Sequence, residues 1–141
     1  MANNSDILRE FVYARGSDAI PRMARMLLVD KTITDIDAKD SDGWTALWYQ
    51  ARDGTTGIVA WLLQQDPPPD VNIRNSYQHT PLMLAACAGE DPEGKVRILL
   101  EHGADRDLTD VFGNTALRYA RSYNKPAAAD LLENYRPDVS R

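Results

Sequence analysis

Residues 40–47 read Asp-Ser-Asp-Gly-Trp-Thr-Ala-Leu, and the same frame returns as Asn-Ser-Tyr-Gln-His-Thr-Pro-Leu at 75–82 and as Asp-Val-Phe-Gly-Asn-Thr-Ala-Leu at 110–117. The step from 40 to 75 and from 75 to 110 is 35 residues both times. A fixed period of this length marks a stack of like supersecondary units, each too small to bury its apolar face alone. Upstream of each frame stands a related hexapeptide, DIDAKD at 35–40, DVNIRN at 70–75 and DRDLTD at 105–110, whose alternation suits a short extended hairpin arm before a tight turn.

Downstream, each threonine opens a helical stretch. Thr45, Thr80 and Thr115 stand as N-caps, and Pro81 takes the first helical position, where its missing N–H is harmless. ALWYQARD closes at Gly54, PLMLAACA at Gly89 and ALRYARSY at Asn124, which predicts a left-handed C-terminal cap on each inner helix. A second helix follows and ends in paired leucines, Leu62-Leu63, Leu99-Leu100 and Leu131-Leu132. One period before Leu62 and Leu63 lie Leu27 and Leu28, so residues 5–30 read as a degenerate first unit, as a terminal unit facing water should be.

The pattern resembles the ankyrin repeat, a β-turn followed by two antiparallel helices. The unit from His79 to Asp105 carries the family's Thr-Pro-Leu, Ala-Ala, Gly, Leu-Leu and Gly-Ala-Asp elements in order. The resemblance implies an all-α ankyrin-repeat solenoid of about four helix-turn-helix units joined by short β-hairpin-like turns, with degenerate terminal caps. One domain over 1–141 is expected, divided into a degenerate repeat at 5–36, repeats at 37–71 and 72–106, a capping repeat at 107–135 and a tail at 136–141.

Departures from the family pattern carry expectations of their own. The histidine that follows Thr-Pro-Leu in the family, and that bonds between units, is replaced by Trp48, Met83 and Arg118. The turn glycine, kept as Gly43 and Gly113, becomes Gln78, which predicts another turn conformation there, because a positive φ strains a residue with a side chain. Asp66-Pro-Pro-Pro69 widens one junction, and Asp91-Pro-Glu-Gly94 is expected to lengthen a loop between helices.

Such stacks bind proteins because each unit touches only its neighbours and leaves one continuous face free of folding duty. By the resemblance, contact positions are the two residues before the turn glycine, the one after it, and the two before the residue closing the inner helix. These fall on Ser41, Asp42, Trp44, Arg52 and Asp53; on Ser76, Tyr77, His79, Cys87 and Ala88; and on Val111, Phe112, Asn114, Ser122 and Tyr123. Trp44, Tyr77, His79, Phe112 and Tyr123 would line one exposed strip, and Trp and Tyr are enriched at interface hot spots. Such tips either meet a partner or pack on adjacent turns to shield the hairpin backbone. Trp48 and Trp61 occupy helix positions that face other helices and read as core.

Composition narrows the function. The 141 residues, 43% hydrophobic and 26% charged, suit one globular domain. A net charge of -5 repels phosphate backbones, and Arg9, Arg15, Arg22, Arg25 and Lys31 are interleaved with Asp6, Glu10, Asp18 and Asp30, so nucleic acid is not an expected partner. The single cysteine, Cys87, fits a reducing compartment. The polar start MANNSDILRE lacks a secretory pattern and no membrane span is legible, which predicts a cytoplasmic monomer.

Chemistry is sparse. His79 belongs to a turn tip, and His102 follows Leu99-Leu100 at a helix end, where a cation complements the dipole. Cys87, between alanines at the end of an inner helix, has no feature that would activate a thiol. No phosphate loop or paired metal-ligand spacing occurs, and the acidic run Glu90, Asp91 and Glu93 reads as a solvated loop. No cofactor, metal or catalytic residue is expected. The function implied is a non-catalytic protein-interaction module acting as adaptor, scaffold or inhibitor. A dedicated antidote to a basic enzyme or toxin is one alternative. An enzyme or small-ligand domain using the loop from Asp66 to Asp70 is another.

Overall fold

Each inner helix begins at a threonine that folds its hydroxyl back on its own first turn. The Trp48, Met83 and Arg118 N–H groups donate to the Oγ1 of Thr45, Thr80 and Thr115, each at 3.3 Å, satisfying donors that no carbonyl of the helix can reach. The helices opened this way are α3 (Ala46–Asp53), α5 (Pro81–Ala86) and α7 (Ala116–Ser122), with Pro81 at the first helical position. Thr55 caps α4 (Thr56–Leu63) in the same manner; α6 (Pro92–Glu101) and α8 (Pro126–Asn134) open on prolines. The first unit comprises α1 (Asn4–Val12) and α2 (Ala19–Ala24), the latter running into a π-helical turn over Arg25–Val29. This computed structural model describes residues 4–136; the tail expected at 136–141 lies, apart from Arg136, outside the described residues.

The helices form two rows. α1, α3, α5 and α7 pack in sequence as the inner row, and α2, α4, α6 and α8 as the outer one. No strand occurs among the described residues, so the architecture is an all-α stack of helix pairs. Met23, Leu47, Leu62, Leu82, Leu99 and Leu132 run through one core along its length. Trp48 is buried as expected, and its indole Nε1 donates to the Ile73 carbonyl at 2.9 Å, bridging to the next unit. The position that lacks the family's histidine thus still ties two units together. Trp61 is half-buried against the core edge.

The hexapeptide arms are turns that ladder onto one another. The Asp37, Asn72 and Asp107 N–H groups donate to the carboxylates of Asp35, Asp70 and Asp105 two residues back, the Asx-turn geometry. Asp37 then accepts from the Asp70 N–H, and Asn72 Oδ1 from the Asp105 N–H at 2.8 Å. The Asp-x-Asp/Asn spacing is therefore a rung repeated from unit to unit.

Four sequence expectations are corrected. Gln78 does not change its turn: φ is +65° there, +83° at Gly43 and +80° at Gly113, with the same closing bond from the Gln78 N–H to the Asn75 carbonyl at 2.9 Å. The reason is Asn75, whose Oδ1 accepts from both the Tyr77 and His79 N–H groups and imposes the turn on whatever residue stands at 78. Gly54 and Gly89 are not left-handed caps. Gly54 is extended and glycine is required by close approach, since a Cβ would lie 2.8 Å from the Gln50 Cα; only Asn124, at φ +56°, is left-handed. The loop between the helices of the middle unit is the longest, 87–91 against 54–55 and 123–125, but Pro92, Glu93 and Gly94 are not part of it: they form the first turn of α6, capped by Asp91, itself at φ +46°. Finally, Leu27 and Leu28 do not match Leu62 and Leu63: in the wide turn over 25–29, Met26 enters the core while Leu28 is 56% exposed.

Candidate interaction surface

The turn tips precede the inner helices, and each is built around one buried or half-buried Asx side chain. Asp40 Oδ1 accepts from the Asp42 and Trp44 N–H groups, and Asp110 Oδ1 from those of Phe112 and Asn114. The second oxygen of each carboxylate meets a tyrosine: Tyr13 OH donates to Asp40 Oδ2 at 2.8 Å, and Tyr119 OH to Asp110 Oδ2. Burial alone would raise the Asp110 pKa, but the Tyr119 hydroxyl and the two backbone N–H groups outweigh it and hold the carboxyl below its ordinary range. His79 joins the same cluster, with Nε2 3.2 Å from Tyr119 OH and 3.5 Å from Asp110 Oδ2.

These anchors align rings from two units. Phe112 stacks on Tyr77 at 6.5 Å between centroids, Tyr77 lies 5.8 Å from His79, His79 meets Tyr119 edge-on at 5.9 Å, and Tyr119 lies 6.4 Å from Tyr123. The tips are also tied by a backbone bond from the Val111 N–H to the Tyr77 carbonyl. Phe112, Tyr77 and Tyr123 remain 69%, 56% and 57% exposed although each lies against another ring of the row. The rings thus do both things the sequence allowed: they pack on adjacent tips, and they present apolar area to solvent.

Not every contact position shares this row. Trp44 is half-buried in a separate cluster, edge-on to Trp48 and Tyr49, with the Arg52 guanidinium 4.6 Å from its ring centroid. Arg52 is paired with Asp53 at 2.7 Å, and both are exposed. Ser41, Asp42, Ser76, Val111 and Ser122 are exposed; His79, Asn114 and Cys87 are half-buried. Ala88 is 1% exposed and is not available to a partner. Tyr119, which joins the two halves of the row, was not among the positions read from sequence; its signal was register, since Tyr49 lies two periods earlier on the same helix face.

The chemistry elsewhere is quiet. Burial raises the Cys87 pKa, and the thiol donates to the Met83 and Leu84 carbonyls. His102 caps the end of α6 with Nδ1 2.9 Å from the Ile98 carbonyl. Among the described residues no three His, Cys, Asp or Glu side chains converge as metal ligands, and no helix is long and apolar enough to cross a membrane. The proline junction, with Asp66 and Pro67, walls a cavity of about 300 Å3 whose other side is Leu27, Leu28, Ile33 and Ile36.

Comparison with known proteins accords with this geometry. The family model described as ankyrin repeats, three copies, matches residues 2–105 and 68–141. An ankyrin repeat-containing protein of Treponema pallidum is 32% identical over 93 residues, 66% of this chain and 30% of its own length. An ankyrin repeat protein of Rickettsia bellii is 31% identical over 111 residues, 76% of this chain and 31% of its own. The mouse ankyrin repeat and SAM domain-containing protein 6 is 36% identical over 95 residues, 67% of this chain and 10% of its own. The chain thus spans less than a third of the length of these relatives. With the family's repeats matched from residue 2 to residue 141 and paired helices recurring every 35 residues, the chain belongs to the ankyrin-repeat family.

Proposed function

We propose that the chain is a non-catalytic docking module, an adaptor, scaffold or inhibitor, that holds a protein partner against its turn tips and inner-helix face. Ankyrin repeats generally mediate protein–protein interaction. The observation that carries the reading here is the ring row: Phe112, Tyr77 and Tyr123 are each more than half exposed, yet held in place by neighbours that are themselves anchored. Rigid aromatics lose little conformational entropy on binding and supply large contact areas, the profile of interface anchors. The module is read as a cytoplasmic monomer, in keeping with its single cysteine.

Replacing Tyr77, Phe112 and Tyr123 together by Ala tests the assignment. Partner capture from native lysate, followed by mass spectrometry, is expected to be lost while the melting temperature stays nearly unchanged, because exposed rings contribute little to folding. Undiminished capture, or a collapse of stability, refutes the assignment. Leu82→Ala and Leu99→Ala serve as contrasts: these side chains are 1% and 0% exposed, and their truncation should cost about 2–5 kcal/mol in urea unfolding.

A further inference from the structure

The two neighbouring pairs of turn tips are not alike. Between the tips at 75–79 and 110–114 the gap is closed by the Val111 N–H donating to the Tyr77 carbonyl at 3.0 Å, and by Phe112 stacking on Tyr77. One period earlier the same two positions are the Ser76 N–H and the Asp42 carbonyl, and neither has a hydrogen-bond partner among the described residues. Asp42 stands where Tyr77 stands in the next pair, so no ring is there to receive the face of Tyr77. The tips stay apart, and a groove of about 700 Å3 opens between them, with Lys39, Asp42, Trp44, Trp48, Arg74 and Tyr77 among its walls.

The groove's charge runs against that of the chain. Asp42 is the one carboxylate among its lining side chains, against two cations, whereas the whole chain carries -5. Lys39 is exposed and makes no ion pair among the described residues, and the Arg74 guanidinium bonds only the neutral Gln78 Oε1, at 2.9 Å. A backbone donor and a backbone acceptor left without partners on residues from the two sides of one groove are the template to which an extended chain adds.

We infer that this groove takes an extended acidic segment of the protein partner, its backbone inserted between the two tips. A carbonyl of the segment accepts from the Ser76 N–H and an N–H of it donates to the Asp42 carbonyl, replacing the direct bond that joins the next pair. Its carboxylates reach Lys39 and Arg74, and an apolar side chain covers the Trp44 and Tyr77 rings, since successive residues of an extended segment point to opposite sides. The inference rests on the docking function proposed above and narrows it to a class of partner. The net charge repels such a segment at long range, but that field is screened beyond about 8 Å at physiological ionic strength, whereas the two cations act at contact.

Panning a phage-displayed library of random peptides against the full chain tests this. Enriched peptides are expected to be acidic. As synthetic peptides they should bind about tenfold or more weakly to the Lys39→Glu, Arg74→Glu double variant, more tightly to Asp42→Asn, and unchanged to Arg97→Glu, which reverses an exposed charge on the outer row. Lys39→Glu alone, at an exposed position, carries the test if the double variant does not fold. Neutral or basic winners, equal binding to the charge-reversed variants, or no enrichment at all would overturn the proposal. Peptides lost with Phe112→Ala, Tyr123→Ala but indifferent to Lys39→Glu would leave the docking face standing and remove the groove.

Discussion

Lys95 is fully buried, and its ammonium has no hydrogen-bond partner among the described residues. Burial lowers its pKa, only partly opposed by the nearby carboxylates of Glu90, Asp53 and Asp91. A buried polar group left unsatisfied costs about 1–3 kcal/mol, more when charged. Lys95→Met keeps the length of the side chain and removes the charge, so it is expected to stabilise the fold by about 1–3 kcal/mol in urea unfolding. A loss of stability instead would mean that attraction to the three carboxylates exceeds the desolvation. Neither the burial of Lys95 nor the bridge made by Trp48 was legible in the sequence. A lysine just ahead of Val96-Arg-Ile-Leu-Leu100 carries no mark of burial, and a tryptophan replacing a bridging histidine carries no mark of a bridge, because its acceptor, the Ile73 carbonyl, is 25 residues away.

At the scale of the element, legibility divides by whether the cause is local. The threonine caps could be read because donor and acceptor are three residues apart, and the 35-residue step because each unit repeats one pattern. The left-handed end at Asn124 could be read as well, but the end of α3 could not, since Gly54 answers to a contact with Gln50, whose amide in turn donates to the Val12 and Ala14 carbonyls of the preceding unit. Gln78 shows an element overriding a residue: the Asn75 side chain imposes the positive φ that glycine would adopt freely. A left-handed residue with a side chain costs about 1–2 kcal/mol, so Gly113→Ala should destabilise by about that amount. Gln78→Gly should be neutral or mildly stabilising, the relief being offset by the extra freedom of glycine in the unfolded chain, about 0.5–1 kcal/mol. Marked destabilisation by Gln78→Gly would assign the hold on this turn to the Arg74–Gln78 bond instead. As for the candidate surface, the tip positions followed from register, whereas the split of the strip into a Trp44 cluster and a Tyr77–Phe112–Tyr123 row depends on stacking across units that no single unit encodes.

For the whole molecule, units touch only their neighbours, so the ties at the two ends decide how the stack opens. Tyr13 bonds Asp40 near the first tip and Tyr119 bonds Asp110 under the last; in both, burial and then the carboxylate bond push the phenol from 10.0 up to about 12. The folded chain therefore keeps these two protons at a pH where the unfolded chain gives them up. Their stabilisation is complete below pH 10 and is lost as the pH rises to about 12. Lys95 acts with the opposite sign: its folded pKa is lowered from 10.5, so the unfolded chain holds that proton more readily and stability rises with pH up to that value. The Lys95→Met background removes the opposing slope. In it the urea midpoint should begin to fall above pH 9.0, where the unfolded chain releases the thiol proton that burial holds on Cys87, and should fall more steeply beyond pH 10; adding Tyr13→Phe and Tyr119→Phe should flatten the steeper part between pH 10 and about 12. Hydrogen exchange should place the loosening of each single variant at its own end of the stack, α1 with α3 for Tyr13→Phe and α7 with α8 for Tyr119→Phe. An undiminished alkaline fall in the double phenylalanine variant would show that other groups govern it and that these two ties do not fasten the ends.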